Sequence, residues 1–205
     1  MPKITVGIAE QRLTTAANSW IEVVLFDGAL AVDATVGNGY DTLFLAHRVG
    51  PNGTVLGFDV QKAALAGARE LLKFVGSMGR VSLIHDSHSR LANYLPQGSH
   101  VQGAMFNLGY LPRGHREIIT RPETTIAALE TLSRHLAPNG RITVLAYRGH
   151  EGGILEYEEV RKFLTELADD EWSVEEFAGN GDSPTAPRLF RIERKLSADV
   201  SNKTI

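Results

Sequence analysis

Ala31-Val-Asp33-Ala-Thr35-Val-Gly37-Asn38-Gly39-Tyr-Asp41 is the stretch from which the rest of this chain can be read. An apolar run, 29–32, ends in an acid, Asp33. Two glycines follow one residue apart, Gly37 and Gly39, and an amphipathic segment begins at once, 40–49. The order is strand, tight turn, helix. Glycine carries no Cβ and tolerates positive φ, so its backbone can come close to a ligand. The helix start adds unpaired N–H groups and the positive end of the helix dipole. Such a turn is built to hold a nucleotide-like ligand at the carboxyl end of a strand.

The dinucleotide fingerprint requires a third glycine three residues on, where this chain has Thr42. The pattern is instead D-x-x-x-G-x-G, counted from Asp33. That form suits S-adenosylmethionine (SAM), which has no pyrophosphate but carries an amino group and a sulfonium that a carboxylate favours. Two glycines alone also fit an ordinary strand-to-helix turn. A second apolar run, 54–58, ends in Asp59. An acid at the end of the next strand, about 20 residues past the glycines, is placed for ribose hydroxyls.

At 205 residues the chain has the length of one domain with a sizeable core. Its 43% apolar and 22% charged residues are ordinary for a globular protein. The absence of cysteine excludes disulfides, thiolate metal sites and a cysteine nucleophile. No apolar run approaches the ~20 residues of a membrane span, and no basic-then-apolar leader opens the sequence. A cytoplasmic protein with no membrane partner is expected. The net charge of −3 argues against a wholly basic surface and leaves room for a local basic patch.

Along the chain, 1–12 reads as an arm or helix lead-in, and Thr14-Thr15 as the cap of a helix to about Phe26. Strands are expected at 29–33, 54–59, 81–84, 101–106, 141–147, 172–177 and 188–194. Helices are expected at 40–49, 61–75, 124–136 (capped by Thr124) and 154–168, with a short one ending near Leu95. Pro138-Asn139-Gly140 reads as a turn into the fifth strand. The organisation is an N-terminal arm and helix at 1–28, one domain at 29–195, and a polar tail at 196–205. Alternating strands and helices predict an α/β, doubly wound, mostly parallel seven-stranded sheet, with the last strand antiparallel. Ligands on such sheets lie beyond the strands' carboxyl ends. Asp33, Asp59, Asp86, Asn107 and Tyr147 each close a strand there.

Six segments carry a resemblance. They are Asp33 to Thr42, Phe58-Asp-Val60-Gln61, Asp86-Ser87-His88, Phe106-Asn-Leu108-Gly109-Tyr110-Leu111-Pro112, Thr124-Thr125, and Tyr147-Arg-Gly-His-Glu-Gly152. Together they resemble the class I SAM-dependent methyltransferases, specifically a small bacterial group labelled rRNA methylases. The resemblance implies a Rossmann-like fold, SAM as cofactor, and action on tRNA at the 5-aminomethyl group of the wobble uridine, position 34. It also implies a homodimer, for which the fifth-strand and helix surfaces are candidates. The chain departs from the family at Arg113-Gly114-His115-Arg116, where Gly-Gly-Asp-Lys is expected, and at Ala186-Pro187, where paired prolines are expected.

By the same resemblance the cofactor would be held by Asp33, Thr35, Gly37, Asn38, Gly39, Asp41, Thr42, Asp59, Val60, Gln61, Asp86, Ser87, His88 and Asn107. Asp59 would take the ribose or merely cap the following helix, and Ser87 would help at the adenine or cap its own helix. Asn107 to Pro112 resembles the Asn-Pro-Pro-Tyr loop of amino methyltransferases, in which the asparagine carbonyl and the next main-chain carbonyl orient the attacking amine. Catalysis there is mainly positioning. Asn107, Tyr110 and His115 are the catalytic candidates, with Tyr110 either stacking on a base or packing the loop. His115 and His150 are possible proton acceptors or solvated loop residues. Leu108, Gly109, Leu111, Pro112, Arg113, Arg116, Arg121, Arg148 and His150 would meet substrate, the arginines as phosphate contacts to an anticodon arm or as plain surface. No His/Asp/Glu spacing matches a metal motif, and no metal is expected.

Overall fold

The strand 54–59 reads Thr-Val-Leu-Gly-Phe-Asp, and its four central residues are all buried. A strand buried on both faces needs a layer on each side, the arrangement of a parallel sheet between helices. The computed structural model describes residues 4–8, 10–109, 111, 117–179 and 183–196. Tyr110, Pro112, Arg113, His115, Arg116 and the tail from 197 onward lie outside the described residues.

The elements run β1 (Ile4–Ile8), α1 (Glu10–Glu22), β2 (Leu30–Asp33), α2 (Tyr40–Arg48), β3 (Thr54–Asp59), α3 (Lys62–Phe74), β4 (Val81–His85), β5 (Val101–Leu108), α4 (Pro122–His135), β6 (Leu136–Ala146), α5 (Gly153–Leu167), β7 (Trp172–Gly179) and β8 (Arg188–Arg194). Two 3-10 turns, Met78–Arg80 and His88–Asn93, flank β4. The sheet order is β1-β7-β8-β6-β5-β2-β3-β4. Among the described strands only β8 runs against its neighbours, antiparallel to both β6 and β7.

All seven expected strands are present as β2 to β8, with the antiparallel strand where it was expected. The eighth, β1, forms from residues read as an arm. It pairs parallel with β7, Ile4 opposite Glu176. Ile4-Thr-Val-Gly-Ile8 is rich in the β-branched residues that suit a strand, a signal the arm reading passed over; pairing covers an edge that β7 would otherwise leave open.

Other differences have local causes. The first helix begins at Glu10, so Thr14 and Thr15 lie inside it rather than capping it, while Val24 and Leu25 fall in the turn after it. The α4 helix starts at Pro122, where a missing N–H costs nothing. Thr124 therefore sits in the first turn, its hydroxyl donating to the Arg121 carbonyl at 2.9 Å. Pro138-Asn139-Gly140 is absorbed into β6 as a bulge: pairing jumps from Leu136 opposite Val101 to Arg141 opposite Gly103, and Asn139 has φ +62°.

One face of the sheet is covered by α1, α2 and α3 through Leu13, Ile21, Leu45 and Leu72, the other by α4 and α5 through Leu129, Leu132, Val160 and Leu164. The chain thus winds on both sides of the sheet. The fifth expected strand, β6, lies between β5 and β8 and offers no free surface to a second subunit. No helix among the described residues is long and apolar enough to cross a membrane. From β2 the chain builds outward to β3 and β4, then returns to β5 on the opposite side. A crevice opens beyond the strand ends at such a reversal.

Candidate functional site

The crevice is occupied by a cavity of about 970 Å³. This is at the upper end of single-ligand pockets, ~300–1,000 Å³, and leaves room for part of a second ligand. Following the sheet order, its wall passes from Asp86 after β4 to Asp59 at the end of β3, the glycine turn after β2, Asn107 in β5, Tyr147 and Arg148 after β6, and Pro187 before β8.

At the glycine turn, Gly37 has φ +49° and donates its N–H to Asp59 Oδ2 at 2.9 Å. The other Asp59 oxygen accepts from Gln61 N–H at 2.8 Å. Asp59 therefore ties the turn to the next helix start, and a carboxylate with about four acceptor positions keeps capacity for hydroxyls. Burial pushes its carboxyl up despite these bonds. Thr35, Asn38, Asp41, Val60 and Gln61 also line the cavity. Asp33, Gly39 and Thr42 do not: they stand behind the turn. Asp33 is wholly buried, accepting from Thr35 N–H at 3.0 Å and Thr42 hydroxyl at 2.5 Å. Burial, then the neighbouring Asp41, pushes its carboxyl up to about 7. It braces the turn from below rather than facing a ligand. Gly39, at φ +81°, packs against α3, where a Cβ would come within 2.8 Å of the Ala68 Cβ.

Asp86 accepts from Ser87 N–H and from the Tyr94 hydroxyl, both at 2.8 Å. The Tyr94 bond, first, holds its carboxyl below the usual range. Ser87 caps the following turn through Ser89 N–H at 3.3 Å, the alternative role foreseen for it. His88 is buried and edge-on to Phe106, ring centroids 5.7 Å apart. Its Nδ1 lies 2.9 Å from the Ala34 carbonyl, which can only accept, so the proton sits on Nδ1. Burial lowers its pKa, keeping the ring neutral.

Asn107 is held from two directions by the glycine-turn segment. Its N–H donates to Thr35 Oγ1 at 2.8 Å, and its side-chain Nδ2 donates to the Asp41 carboxylate. Burial pushes the Asp41 carboxyl up, while the Asn107 bond opposes the shift. A carboxylate accepts only, so the amide nitrogen must face Asp41 and Oδ1 must face the other way. The Leu108 carbonyl, expected to help orient an amine, already accepts from Tyr147 N–H at 3.1 Å. Gly109, at φ +152°, exchanges two bonds with Thr120: its N–H reaches Thr120 Oγ1 at 2.9 Å, and its carbonyl accepts from Thr120 N–H at 3.0 Å. Thr120 Oγ1 donates in turn to buried Glu156 at 2.6 Å, and Thr125 donates to the other Glu156 oxygen at 2.8 Å. Both ends of the 109–120 loop are thereby fastened to α5.

Leu111 closes over the turn, 3.5 Å from where a Gly37 Cβ would stand. His150 lies by Gly109, and its Nδ1 is 2.9 Å from the Glu151 carbonyl. Arg121 is exposed at the rim. Of the two roles open to Arg148, phosphate contact or plain surface, the second does not hold: only 9% is exposed, and its guanidinium stands 4.5 Å over the Tyr157 ring. Sequence reasoning missed Thr14, Tyr40, Thr120 and Glu156. An exposed aromatic directly after the glycine turn, and a glutamate on the apolar face of α5, were the available signals; Thr14 had none. Among the described residues no three His, Asp or Glu side chains gather as a metal site.

Comparison with known proteins agrees with this architecture. The family described as "Putative rRNA methylase" matches residues 55–193. A protein of Arabidopsis thaliana, "tRNA (mnm(5)s(2)U34)-methyltransferase, chloroplastic", is 38% identical over 170 residues, 79% of this chain and 62% of that protein. This chain thus spans less than two thirds of that relative's length. The crystal structure of a "putative rRNA-methylase" from Clostridium thermocellum superposes with TM-score 0.85 at 38% identity, covering 93% of this chain and 99% of that one. A "putative methyltransferase" from Streptococcus mutans, solved in complex with SAH, gives TM-score 0.81 at 34% identity, covering 89% and 98%.

Proposed function

Because the chain belongs to the rRNA methylase family, we propose that it is a SAM-dependent N-methyltransferase that modifies tRNA at the 5-aminomethyl nitrogen of the wobble uridine, position 34. The observation that carries the chemistry is Asn107, whose backbone N–H is held by Thr35 and whose side-chain amide is held by Asp41, with Oδ1 left to accept from an amine. The named activity of the Arabidopsis relative supports the choice of acceptor, and the SAH in the Streptococcus mutans structure supports the cofactor.

The residues fit SAM. Asp59 and Asp86 put two carboxylates on the glycine-turn half of the cavity, suited to a cationic ligand, while the Asp41 carboxylate is taken up by Asn107. Asp59 would hold the ribose, Asp86 and His88 would border the adenine, and Gly37 and Asn38 would border the methionine portion. Bound SAM supplies a methyl group activated by its sulfonium. Asn107 Oδ1 takes one N–H of the neutral acceptor amine and fixes the direction of its lone pair, so catalysis rests on positioning. The nitrogen sheds one proton after transfer, and water can take it. Gly109, Leu111, Ile118, Ile119 and Thr120, with Thr120 fastened to Glu156, form the acceptor wall.

A wobble base lies in a single-stranded loop and can be splayed into such a cavity. The reading includes a cytoplasmic location. It also includes a homodimer, for which Phe74 and Val75 at the end of α3 are exposed apolar surface. Light scattering at twice the 22.4 kDa chain mass checks the dimer. The substrate test is incubation of the purified protein and SAM with tRNA bearing the 5-aminomethyl group, followed by nucleoside mass spectrometry. One added methyl on that uridine is expected. Methylation of ribosomal RNA or a small amine instead, with none on tRNA, would refute the substrate.

A further inference from the structure

The far end of the cavity holds a buried cation with too few partners. Arg148 directly follows Tyr147 at the end of β6, and its side chain is nine-tenths buried. A guanidinium carries five N–H donors. In the structure, Nη1 reaches the Ala186 carbonyl at 3.4 Å, a long contact, and Nε has no partner. Beneath it lies Tyr157, whose hydroxyl donates to Glu176 Oε1 at 2.7 Å. Glu176 is itself buried and already serves two other arginines, Arg161 at 3.2 Å and Arg188 at 3.8 Å. Burial, then Glu176, pushes the Tyr157 phenol up to about 12, so the ring stays neutral. The Arg188 Nε also lacks a hydrogen-bond partner. Glu176 is thus taken up by Arg161 and Arg188, and Arg148, over the ring of Tyr157, makes no ion pair with it.

Burying a charge without a partner is costly, and buried donors are ordinarily bonded. A positive charge left without an ion pair among the described residues, beside a cavity, is explained by a ligand that brings negative charge. The carboxylates of the cavity lie on its other half, beyond Asn107. Strands stand ~4.8 Å apart, so the end of β6 is roughly 10 Å from the glycine turn after β2. The anion therefore sits on the acceptor side of Asn107, away from the cofactor half.

We propose that Arg148 forms a buried anion site at the acceptor end of the cavity, and that its ligand is a phosphate attached to the target nucleotide. The identity of that phosphate rests on the RNA-modifying reading above; the anion site does not. Arg148 thereby changes role from a surface clamp to a measure of how deeply the nucleotide enters. The planar fork, braced on Tyr157, suits two oxygens of one phosphate.

The test compares uridine with uridine 5′- and 3′-monophosphate, by calorimetry, on the full chain saturated with SAH. The wild type is expected to prefer one nucleotide over the nucleoside by about 10- to 100-fold, the span of a charged hydrogen bond. Arg148→Gln should abolish the preference, Arg148→Lys should keep part of it, and Arg134→Gln, an equal loss of charge on the exposed side of α4, should keep it all. If Arg148→Gln does not fold, the dimethyl ester of the preferred nucleotide, which is neutral, should bind wild type no better than uridine. Equal binding of nucleoside and nucleotides to wild type would overturn the site. So would a fall in SAH affinity in Arg148→Gln matching the loss of nucleotide, which would give the anion to the cofactor's carboxylate. A failure to methylate tRNA would refute the substrate reading alone, because the nucleotide preference is measured without turnover.

Discussion

Removing the Asp41 carboxylate should uncouple cofactor binding from methyl transfer. Asp41 accepts from the Asn107 side-chain amide, and that bond alone dictates which end of the amide faces the cavity. A hydrogen bond to a charged group contributes about 1.5–3 kcal/mol, and turning the amide over would lose it and set two acceptors against each other. The reversed orientation is thus populated less than about one time in ten in the wild type. In Asp41→Ala the amide loses its anchor, and about 1.5–3 kcal/mol of positioning corresponds to a fall in kcat of roughly 10- to 100-fold. In Asp41→Asn a partner remains, but it can donate as well as accept. The two orientations then approach equal energy, and the loss should be only about two- to fivefold. Steady-state kinetics on the modified tRNA, beside calorimetric SAM affinity, separates the effects. The order wild type, Asn, Ala in kcat with SAM affinity held is the expected result. A SAM affinity that falls in step with turnover would make Asp41 a cofactor ligand and refute the argument.

Asp59→Ala should weaken SAM binding by about 1–3 kcal/mol in calorimetry, through lost charge-assisted bonds to the ribose and a freed Gly37 N–H. Because burial raises Asp33 to about 7, the folded chain keeps a proton that the unfolded chain releases near the ordinary aspartate value of 3.8. Stability should therefore fall as pH rises from about 4 to about 7 and level off above, by at most about 4 kcal/mol from this group, and Asp33→Asn should flatten that dependence in urea unfolding. Glu156→Gln should loosen the Thr120 and Thr125 bonds, raise the acceptor KM about fivefold for a loss near 1 kcal/mol, and leave SAM affinity unchanged.

The strand ends were legible because parallel strands are largely apolar and stop near a polar residue, so Asp59, Asp86 and Asn107 mark their own positions, although β5 runs one residue past Asn107 to Leu108. The glycine turn was legible because positive φ at Gly37 and Gly39 leaves little choice of residue. Partnerships across long sequence distances were not. Asn107 and Asp41 are 66 residues apart, and nothing local distinguishes an aspartate that orients an amide from one that binds a ligand. Asp33 looked like a ligand group because it ends a strand, yet the backbone turns over it and directs it to Thr42. Arg148 was legible as a phosphate contact or as plain surface, and only the packing around Tyr157 buries it. β1 was marked by its own β-branched residues, but its partner, the edge of β7 far along the chain, was not. Periodicity and turn chemistry are properties of neighbouring residues, so the sequence by itself determined the order of strands and helices and the end of the sheet where a ligand binds. Which carboxylates face that ligand, which way the Asn107 amide points and where an unpaired charge is buried depend on segments brought together by folding, and only the tertiary structure decided them.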